Sequence, residues 1–315
     1  MTRTLVIGAG MAGIACARAL RDAGRPVRVI DKGRGIGGRM ATRRAETSAG
    51  QPLRFDHGAQ YVTARDPGFA ALLTASAAAA LWADGAAHPH YVGLPGMSGL
   101  PRALADGLDV SLGVEVAEVR RAGAIWQVAT RDTVMEAEHV VLAVPAPQVA
   151  PLIGADHPLA ARLEAVEIAP CLTLMAAFPA DAPAPFVSRK LSEGPLAFIA
   201  RDSSKPGRPG GAVAWVAQAS PGWSAAHLEQ DRQEIARRML PPLCAEIGAA
   251  ADSALHVAAH RWRYARVTAP LGKAFVRDAS GTLHLGGDWC LGPLVEAAWA
   301  SGTAIAADIM AGSDA

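Results

Sequence analysis

The chain has 315 residues, which is enough for two domains that share an interface. Its 30 lysines and arginines are balanced by 29 aspartates and glutamates, so no overall field draws it to nucleic acid or to an anionic membrane. The cysteines, Cys16, Cys171, Cys244 and Cys290, lie far apart. Neither a CxxC pair nor a zinc site is expected, and free thiols fit a reducing, cytoplasmic environment.

The first 31 residues follow a strand–turn–helix–strand pattern. Residues 4–7 and 27–30 are short β-rich runs, and residues 11–22 have helical spacing. The apolar run at residues 5–20 is interrupted by three glycines and an arginine, so it is not read as a signal peptide or a membrane span. The pattern predicts a βαβ unit whose parallel strands lie in a covered sheet.

The turn of this unit carries a GxGxxG motif, Gly8-Ala-Gly10-Met-Ala-Gly13. Gly8 permits the tight turn, Gly10 lets the backbone approach a pyrophosphate, and Gly13 lets the helix pack on the strand. Asp31 ends the second strand, where a carboxylate can accept hydrogen bonds from both ribose hydroxyls. These features predict dinucleotide binding, and the alternative is a glycine-rich turn of an ordinary α/β protein.

A second glycine-rich loop follows at residues 32–40, KGRGIGGRM. Its glycines and arginines suit a flexible, cationic segment that lies along a long pyrophosphate-bearing ligand. The alternative is a surface turn with solvated arginines.

The middle of the chain has a different sequence pattern, with a higher share of predicted strands. Residues 102–107 resemble the end of a short helix, residues 110–119 and 125–129 predict a hairpin, and residues 139–145 predict a buried strand. Runs separated by Pro/Gly/Ser-rich loops predict an antiparallel sheet: residues 172–178, 196–201 and 213–219.

The last third contains a helical segment and a return to the first pattern. Residues 228–247 have helical spacing, with a kink or split predicted at Pro241-Pro242. Strands are predicted at residues 256–262 and 283–285, and a final helix from about 295 to 310. The two ends of the chain are therefore expected to build one domain and the middle another.

Several further motifs accompany GxGxxG…D and RGIGGRM at 34–40: DHGAQYVTARD at 56–66, PGM at 95–97, HRWRYA at 260–265 and GDW…VEAAW within 287–299. Together they resemble the amine-oxidase-type flavoproteins, and the renalase-like branch in particular. The resemblance extends from the first strand to the last helix.

The resemblance implies an α/β fold: a two-dinucleotide-binding, Rossmann-type FAD domain with a second α+β substrate domain that contains an antiparallel sheet. The predicted FAD domain comprises residues 1–68, 96–150 and 256–315, and the substrate domain residues 69–95 and 151–255.

The resemblance also implies a noncovalently bound FAD. Val116 would offer its backbone to the adenine, and Gly287, Asp288 and the start of the last helix would hold the ribityl chain and the flavin; Asp288 could instead be a helix-capping or turn acid. The residues implied to bind FAD are Gly8, Gly10, Ala12, Gly13, Asp31, Lys32, Arg39, Met40, Val116, Gly287, Asp288 and Val295.

For the substrate, Gln60, Tyr61 and Trp289 are predicted to position a planar ring against the flavin, with Trp215 and Trp262 behind them. Each could instead be an ordinary core residue. His57 and His260 are expected to be core or surface histidines, and Arg65 with Asp66 a surface ion pair. No Ser/His/Asp arrangement or metal-ligand cluster is visible, and no metal is expected.

The implied function is a renalase-like oxidase. Its small-molecule substrate would be a dihydronicotinamide isomer of NAD(P), and O₂ would be the acceptor, giving hydrogen peroxide; no nucleic-acid or membrane partner is expected. One alternative is an amine oxidase or desaturase of the same superfamily. Such enzymes often use a lysine near flavin N5. None of the lysines of this chain falls at a matching motif position, and Lys273 is the nearest candidate. The four lysines are Lys32, Lys190, Lys205 and Lys273. The other alternative is a flavin- or NAD-binding protein without catalysis.

Overall fold

The computed structural model describes residues 2–313. The strands of this part of the chain are β1 Thr2–Ile7, β2 Val27–Asp31, β3 Thr42–Glu46, β4 Pro52–Asp56, β5 Ala79–Trp82, β6 His90–Gly93, β7 Asp109–Leu112, β8 Val116–Ala122, β9 Ile125–Thr130, β10 Val134–Leu142, β11 Glu167–Pro179, β12 Ser188–Lys190, β13 Leu196–Arg201, β14 Ala212–Ala219, β15 His256–Ala269, β16 Val276–Arg277 and β17 Leu283–Leu285. The helices are α1 Met11–Asp22, α2 Pro67–Ala75, α3 Gly99–Leu104, α4 Ala150–Ile153, α5 Pro158–Ala161, α6 Pro221–Ala226, α7 Arg232–Ile247 and α8 Val295–Ser313. Short 3₁₀ turns lie at Gly38–Met40, Ala146–Gln148, Asp202–Ser204, Ala251–Ser253 and Asp288–Cys290.

The first sheet has the order β16-β17-β10-β1-β2-β7. Strand β9 of the β8–β9 hairpin pairs with β10 and so adds the hairpin to this sheet. The strands from β17 to β7 run parallel. Side chains alternate between two apolar layers: Val6 and Val141 face α1 and α8, whereas Leu5 and Val140 face the opposite core. Both faces are covered, as the near-continuous apolar strand sequences require.

The predicted βαβ unit is confirmed. The helix spans the predicted residues 11–22, and the second strand extends to Asp31. The predicted strand at 110–119 is instead two strands, because Gly113 has a φ of +74° and turns the chain. The first, β7, pairs in parallel with β2, and the second, β8, forms the predicted hairpin with β9.

Helices α1 and α8 cross closely on the first sheet. A Cβ at Gly302 of α8 would lie 2.0 Å from the Ala12 carbonyl oxygen of α1. Only glycine permits this approach, which joins the start of α1 to a segment almost 300 residues further along the chain.

The second sheet is antiparallel, as predicted, with the order β12-β13-β14-β11-β15. Helix α7 packs on it through a buried row that includes Ile235, Met239 and Leu243. The predicted split at Pro241-Pro242 is wrong, since α7 continues through both prolines. We attribute this to the buried row, which persists on either side of the prolines and offsets the lost backbone hydrogen bonds.

Strand β15 differs from expectation. It was predicted to return to the FAD domain, but it pairs along its length with β11 of the second sheet. An alternating pattern shows that a segment is a strand and not which sheet it joins. The first sheet resumes only at β16, so we move the proposed domain boundary from residue 256 to about residue 270. The remaining boundaries stay a prediction.

Between residues 2 and 313 no helix has both the length and the apolar composition needed to cross a membrane.

Candidate functional site

The GxGxxG turn leaves a gap at the N-terminus of α1. Gly8 has a φ of +114°, and a Cβ at Gly13 would lie 1.9 Å from the Gly8 carbonyl oxygen, so both must be glycine. A Cβ at Gly10 would meet nothing within 4 Å, and no side chain caps the helix at Gly10. Open space before unpaired helix N–H groups is what a pyrophosphate requires.

Asp31 is fixed at the edge of this gap. Its Oδ2 accepts a hydrogen bond from the Ala9 N–H (2.6 Å), and its Oδ1 accepts one from the Gly33 N–H (2.6 Å). A carboxylate has about four acceptor positions. The oriented carboxylate therefore keeps acceptor capacity for ribose hydroxyls.

The second glycine-rich loop lies on the first. The Gly37 N–H donates to the Ala9 carbonyl (2.8 Å), and a Cβ at Gly38 would lie 3.4 Å from the Gly10 Cα. Met40 and Ala12 are buried, whereas Lys32 is exposed. The structure thus brings the two predicted loops together.

Arg39 and Asp288 form a bidentate ion pair. Arg39 Nη1 and Nη2 donate to Asp288 Oδ2 and Oδ1 at 2.7 and 2.6 Å. Asp288 Oδ1 also accepts the Trp289 N–H (2.9 Å), and Asp288 is 8% exposed. The two predicted FAD residues are therefore adjacent, and Arg39 and the Trp289 N–H together use most of the acceptor positions of the Asp288 carboxylate that were expected for a ribityl hydroxyl.

The remaining predicted cofactor residues lie at element starts. Val295 begins α8 and packs in the cluster that contains Met11 and Met40, so the starts of α1 and α8 are close. Gly287 has a φ of +157° and precedes the Asp288–Cys290 turn. Val116 begins β8 with its side chain in the core, and its backbone contact with adenine stays a prediction.

Residues 57–61, here called the 57–61 turn, lie directly on Arg39. A Cβ at Gly58 would be 1.9 Å from the Arg39 carbonyl oxygen, and the Ala59 N–H donates to that oxygen (2.9 Å). The indole N–H of Trp262, on β15, donates to the His57 carbonyl (2.7 Å). The turn is thus held between Arg39 of the second glycine-rich loop and the second sheet.

Two histidines, His57 in this turn and His260 beside it, are neutral at pH 7. His57 stacks on Trp262 with centroids 5.3 Å apart and meets His260 edge-on at 4.6 Å. Burial, with a smaller effect of Arg43, lowers the pKa of His57 to about 4. Burial, then His57 and Arg43, lowers the pKa of His260 to about 3. Both imidazoles are weak bases.

Tyr61 lies in an aromatic cluster. Its ring stacks on His90 with centroids 3.6 Å apart and 12° between the planes, near Trp82 (6.4 Å) and Phe198 (6.2 Å). His90 Nδ1 lies 2.9 Å from Asp84 Oδ2. Tyr61 is half-buried, so part of its surface remains available.

Two of the tryptophans predicted at or behind the substrate site belong to the core. Trp289 is 0% exposed and donates its indole N–H to the Val144 carbonyl (2.9 Å), so its ring offers no surface to a substrate. Trp215 is also 0% exposed and packs edge-on against Phe186. Trp289 therefore does not form the predicted wall, because an aromatic residue beside a motif has the same sequence signature whether it faces a pocket or the core. The position of Trp215 behind the substrate-contacting residues stays a prediction.

The amide of Gln60 is committed to protein groups. Its Nε2 donates to the carbonyl oxygens of Asp56 and Gly58, the second at 3.1 Å, and its Oε1 accepts from Lys205 Nζ at 3.2 Å. Gln60 is 5% exposed. Its side chain therefore shapes the turn and is not free to contact a substrate.

Lys205 belongs to a buried ion cluster that sequence reasoning missed. The cluster consists of Asp56, Asp202, Lys205 and Arg208, whose side chains are at most 2% exposed. Lys205 Nζ lies 2.8 Å from Asp202 and 3.2 Å from Asp56, and Arg208 contacts both acids. Burial alone would raise the pKa of Asp202, but Lys205 and Arg208 hold it below its ordinary value.

Lys273, the nearest candidate for a lysine at the flavin, is exposed. One further expectation is corrected. Asp66 is not in a surface pair with Arg65; it caps α2 by accepting the Phe69 N–H (3.0 Å), while Glu296 accepts the Arg65 and Asp66 N–H groups.

Metal-ligand groups are not found in the described part of the chain: nowhere in residues 2–313 are three or more His, Cys, Asp or Glu side chains placed to hold an ion.

Comparison with known families gives two matches. The model described as flavin containing amine oxidoreductase matches residues 62–310, and the NAD(P)-binding Rossmann-like domain matches residues 6–79. Together they imply FAD as the cofactor. The gap at Gly10, the oriented Asp31 and the Arg39–Asp288 pair fit it.

Solved structures share the fold over nearly the whole chain. A protein from Exiguobacterium sp. 255-15 assigned as a protoporphyrinogen oxidase has a TM-score of 0.80 at 13% identity and covers 99% of both chains. Cyclohexylamine oxidase from Brevibacterium oxydans IH-35A has a TM-score of 0.76 at 14% identity and covers 100% of both. Putrescine oxidase bound to putrescine has a TM-score of 0.66 at 15% identity, covering 98% of this chain and 99% of its own.

Proposed function

The chain belongs to the flavin-containing amine oxidoreductase family, and from this we propose that it is a renalase-like, FAD-dependent oxidase of dihydronicotinamide isomers of NAD(P). Molecular oxygen is the acceptor and hydrogen peroxide the product. When bound, FAD supplies hydride acceptance and the transfer of two electrons to oxygen.

One observation carries the choice of substrate: His57 and His260, on and beside the 57–61 turn, are weak bases, and the adjacent Asp56 is already ion-paired. The pKa values of His57 and His260 are lowered to about 4 and about 3. Asp56 lies between Lys205 and Arg208. None of these groups is suited to removing a proton from an ammonium substrate.

A dihydronicotinamide isomer does not need such a base. Loss of its hydride restores the aromatic ring, so the protein has only to hold a planar ring at reacting distance. The half-buried Tyr61, backed by the flat face of His90 at 3.6 Å, supplies a rigid surface for that stacking. The Arg39–Asp288 pair and the start of α8 would orient the cofactor opposite it.

We further propose that the cofactor is held noncovalently. Cys290 is the cysteine next to the Gly287–Asp288 motif, and it is 0% exposed. Burial raises its pKa to about 12, so the thiolate needed for a covalent link does not form at neutral pH.

The test is anaerobic mixing of the holoprotein with the 2-dihydro and 6-dihydro isomers, ordinary 4-dihydro NADH and simple amines, following flavin bleaching. The isomers should bleach the flavin fastest, and admission of oxygen should restore the colour and yield hydrogen peroxide. Tyr61→Leu should slow bleaching by about tenfold or more through lost positioning, whereas Tyr91→Leu, one residue from the stacking His90, serves as the matched control. Bleaching by none of these donors would overturn the proposal in favour of a flavin-binding protein without this catalysis.

An amine oxidase is the second candidate, and the aromatic cluster of Tyr61, Trp82, His90 and Phe198 favours it. Such a cluster can accommodate a cationic or neutral amine. Two of the similar folds are named as cyclohexylamine and putrescine oxidases. Fast bleaching by an amine, with both isomers inert, would establish this alternative.

A further inference from the structure

A buried lysine from the second domain reaches the turn that carries Gln60 and Tyr61. Lys205 follows the 3₁₀ turn Asp202–Ser204 in the loop between β13 and β14, and its side chain is 0% exposed. Its ammonium lies 3.2 Å from Gln60 Oε1 and 5.3 Å from the centroid of the Trp82 ring. It therefore contacts both the 57–61 turn and a member of the aromatic cluster around Tyr61.

The surrounding carboxylates hold the Lys205 side chain in a fixed place. Asp56 and Asp202 each accept from its ammonium, and Arg208 balances the second negative charge. Asp56 Oδ1 also accepts from the Met97 N–H (2.9 Å) and the Thr42 hydroxyl (2.7 Å). A buried ion held by such a network has little freedom to move, and removal of one member leaves an uncompensated charge.

The contact with Gln60 determines which way its amide points. With Oε1 on the ammonium, Nε2 must donate to the carbonyls of Asp56 and Gly58, and those bonds close the turn. An ammonium is a donor only, so the flipped amide would place two donors against each other. The Gly58 carbonyl also accepts from Gln218 of β14 (2.7 Å).

We propose that Lys205 is a positioning residue: through Gln60 it fixes the 57–61 turn against Arg39 and so sets the orientation of Tyr61 at the substrate site. The loop of the second domain thereby controls the geometry at the cofactor edge of the first. The role of Tyr61 as the substrate wall rests on the proposed function, whereas the effect on the turn does not. Lys205 also differs in its role from a lysine at flavin N5, because its ammonium is occupied by two carboxylates and an amide.

The experiment is a double-mutant cycle on the FAD-loaded protein with Lys205→Met, Gln60→Ala and both together. The readouts are the visible circular dichroism of the bound flavin, which needs no substrate, and the anaerobic reduction rate. Each single variant should change the dichroism in the same direction and slow reduction by about tenfold through lost positioning. The double variant should be no slower than the worse single, because both changes act on one turn.

Arg189→Met is the matched control, since Arg189 forms an exposed ion pair with Glu246 in the same domain. It should leave both readouts unchanged. Effects that multiply in the double variant, or a Lys205→Met protein with wild-type dichroism and rate, would overturn the proposal. A changed dichroism in a protein that no nicotinamide isomer reduces would refute the proposed substrate and leave the role of Lys205 standing.

If Lys205→Met gives no folded protein, Lys205→Arg and Gln60→Leu decide. Lys205→Arg keeps a cation that can donate to Gln60 Oε1 and leaves the Nε2 bonds of Gln60 in place, whereas Gln60→Leu keeps the size and loses both sets of contacts. The first should retain a flavin dichroism closer to the wild type than the second. Equal spectra, or the reverse order, would show that the contact does not position the turn.

Discussion

Replacement of Asp31 by alanine should weaken FAD binding far more than it weakens the fold. The carboxylate does two things: it accepts the Ala9 and Gly33 N–H groups at 2.6 Å each, and it keeps acceptor positions for the ribose hydroxyls. The variant loses the ribose contacts and also releases the backbone on either side of the pyrophosphate gap.

The magnitude follows from the bonds at stake. A hydrogen bond to a charged group is worth roughly 1.5–3 kcal/mol. Two such bonds to ribose amount to about 3 kcal/mol at the low end, and since about 1.4 kcal/mol is tenfold in Kd, affinity should fall by about a hundredfold or more. Asp31→Asn keeps one acceptor oxygen without the charge and should lie between the wild type and Asp31→Ala.

The assay is titration of each apoprotein with FAD by flavin fluorescence, together with denaturant unfolding of the apoprotein. Asp66→Ala is the control, because it removes the cap of α2, at a cost of about 1 kcal/mol in stability, without a predicted nucleotide contact. Equal FAD affinity in the Asp31→Ala and Asp66→Ala proteins would refute the assignment of the ribose site to the end of β2.

Three further predictions concern cofactor attachment, the phosphate gap and acid stability. Heat or acid should release FAD intact, since Cys290 is fully buried; flavin that remains with the precipitate would show a covalent bond. Gly10→Ala should lower the stability of the apoprotein by about 1 kcal/mol or less yet weaken FAD binding, because the added Cβ enters only the gap. Gly13→Ala should destabilise the apoprotein itself, because the added Cβ would lie 1.9 Å from the Gly8 carbonyl oxygen. Unchanged FAD affinity in Gly10→Ala would place the pyrophosphate elsewhere. The pKa of His57 is lowered from 6.5 to about 4. Between these values the unfolded chain binds more protons than the folded one. The free energy of unfolding should therefore decline as the pH falls through this window, by at most about 3 kcal/mol for this group. Denaturant unfolding between pH 7 and pH 4 should show a shallower decline for His57→Gln than for the control His88→Gln, and parallel declines would contradict the assignment.

Local patterns predicted much of the nucleotide half. The GxGxxG spacing, the helix at 11–22 and the acid at the end of β2 are short-range features, and the structure has them where the pattern places them. The pairing of Arg39 with Asp288 could be anticipated only through the family resemblance, because nothing local joins residues 249 positions apart.

The substrate half could not be predicted in the same way. Trp289 and Trp215 are buried in the core, and whether a residue is buried depends on which sheet its segment joins. Strand β15 carries Trp262 and His260, and its alternating sequence fits either sheet. The buried ion cluster joins Asp56 to a Ser/Pro/Gly-rich loop almost 150 residues away, and in sequence that loop has the composition of a solvent-exposed turn.

The close crossing of α1 and α8 also has a consequence for the order of folding. The GxGxxG turn is synthesised long before Gly302, but the helix behind it packs against Gly302, and β1 is paired with β2 and β10. Until the last of these segments leaves the ribosome, the turn lacks part of its packed support, and such long-range contacts form slowly. FAD can therefore be captured only after the segment that carries Gly302 has been synthesised, and the nascent chain must keep the apolar strands of its first sheet from aggregating until then.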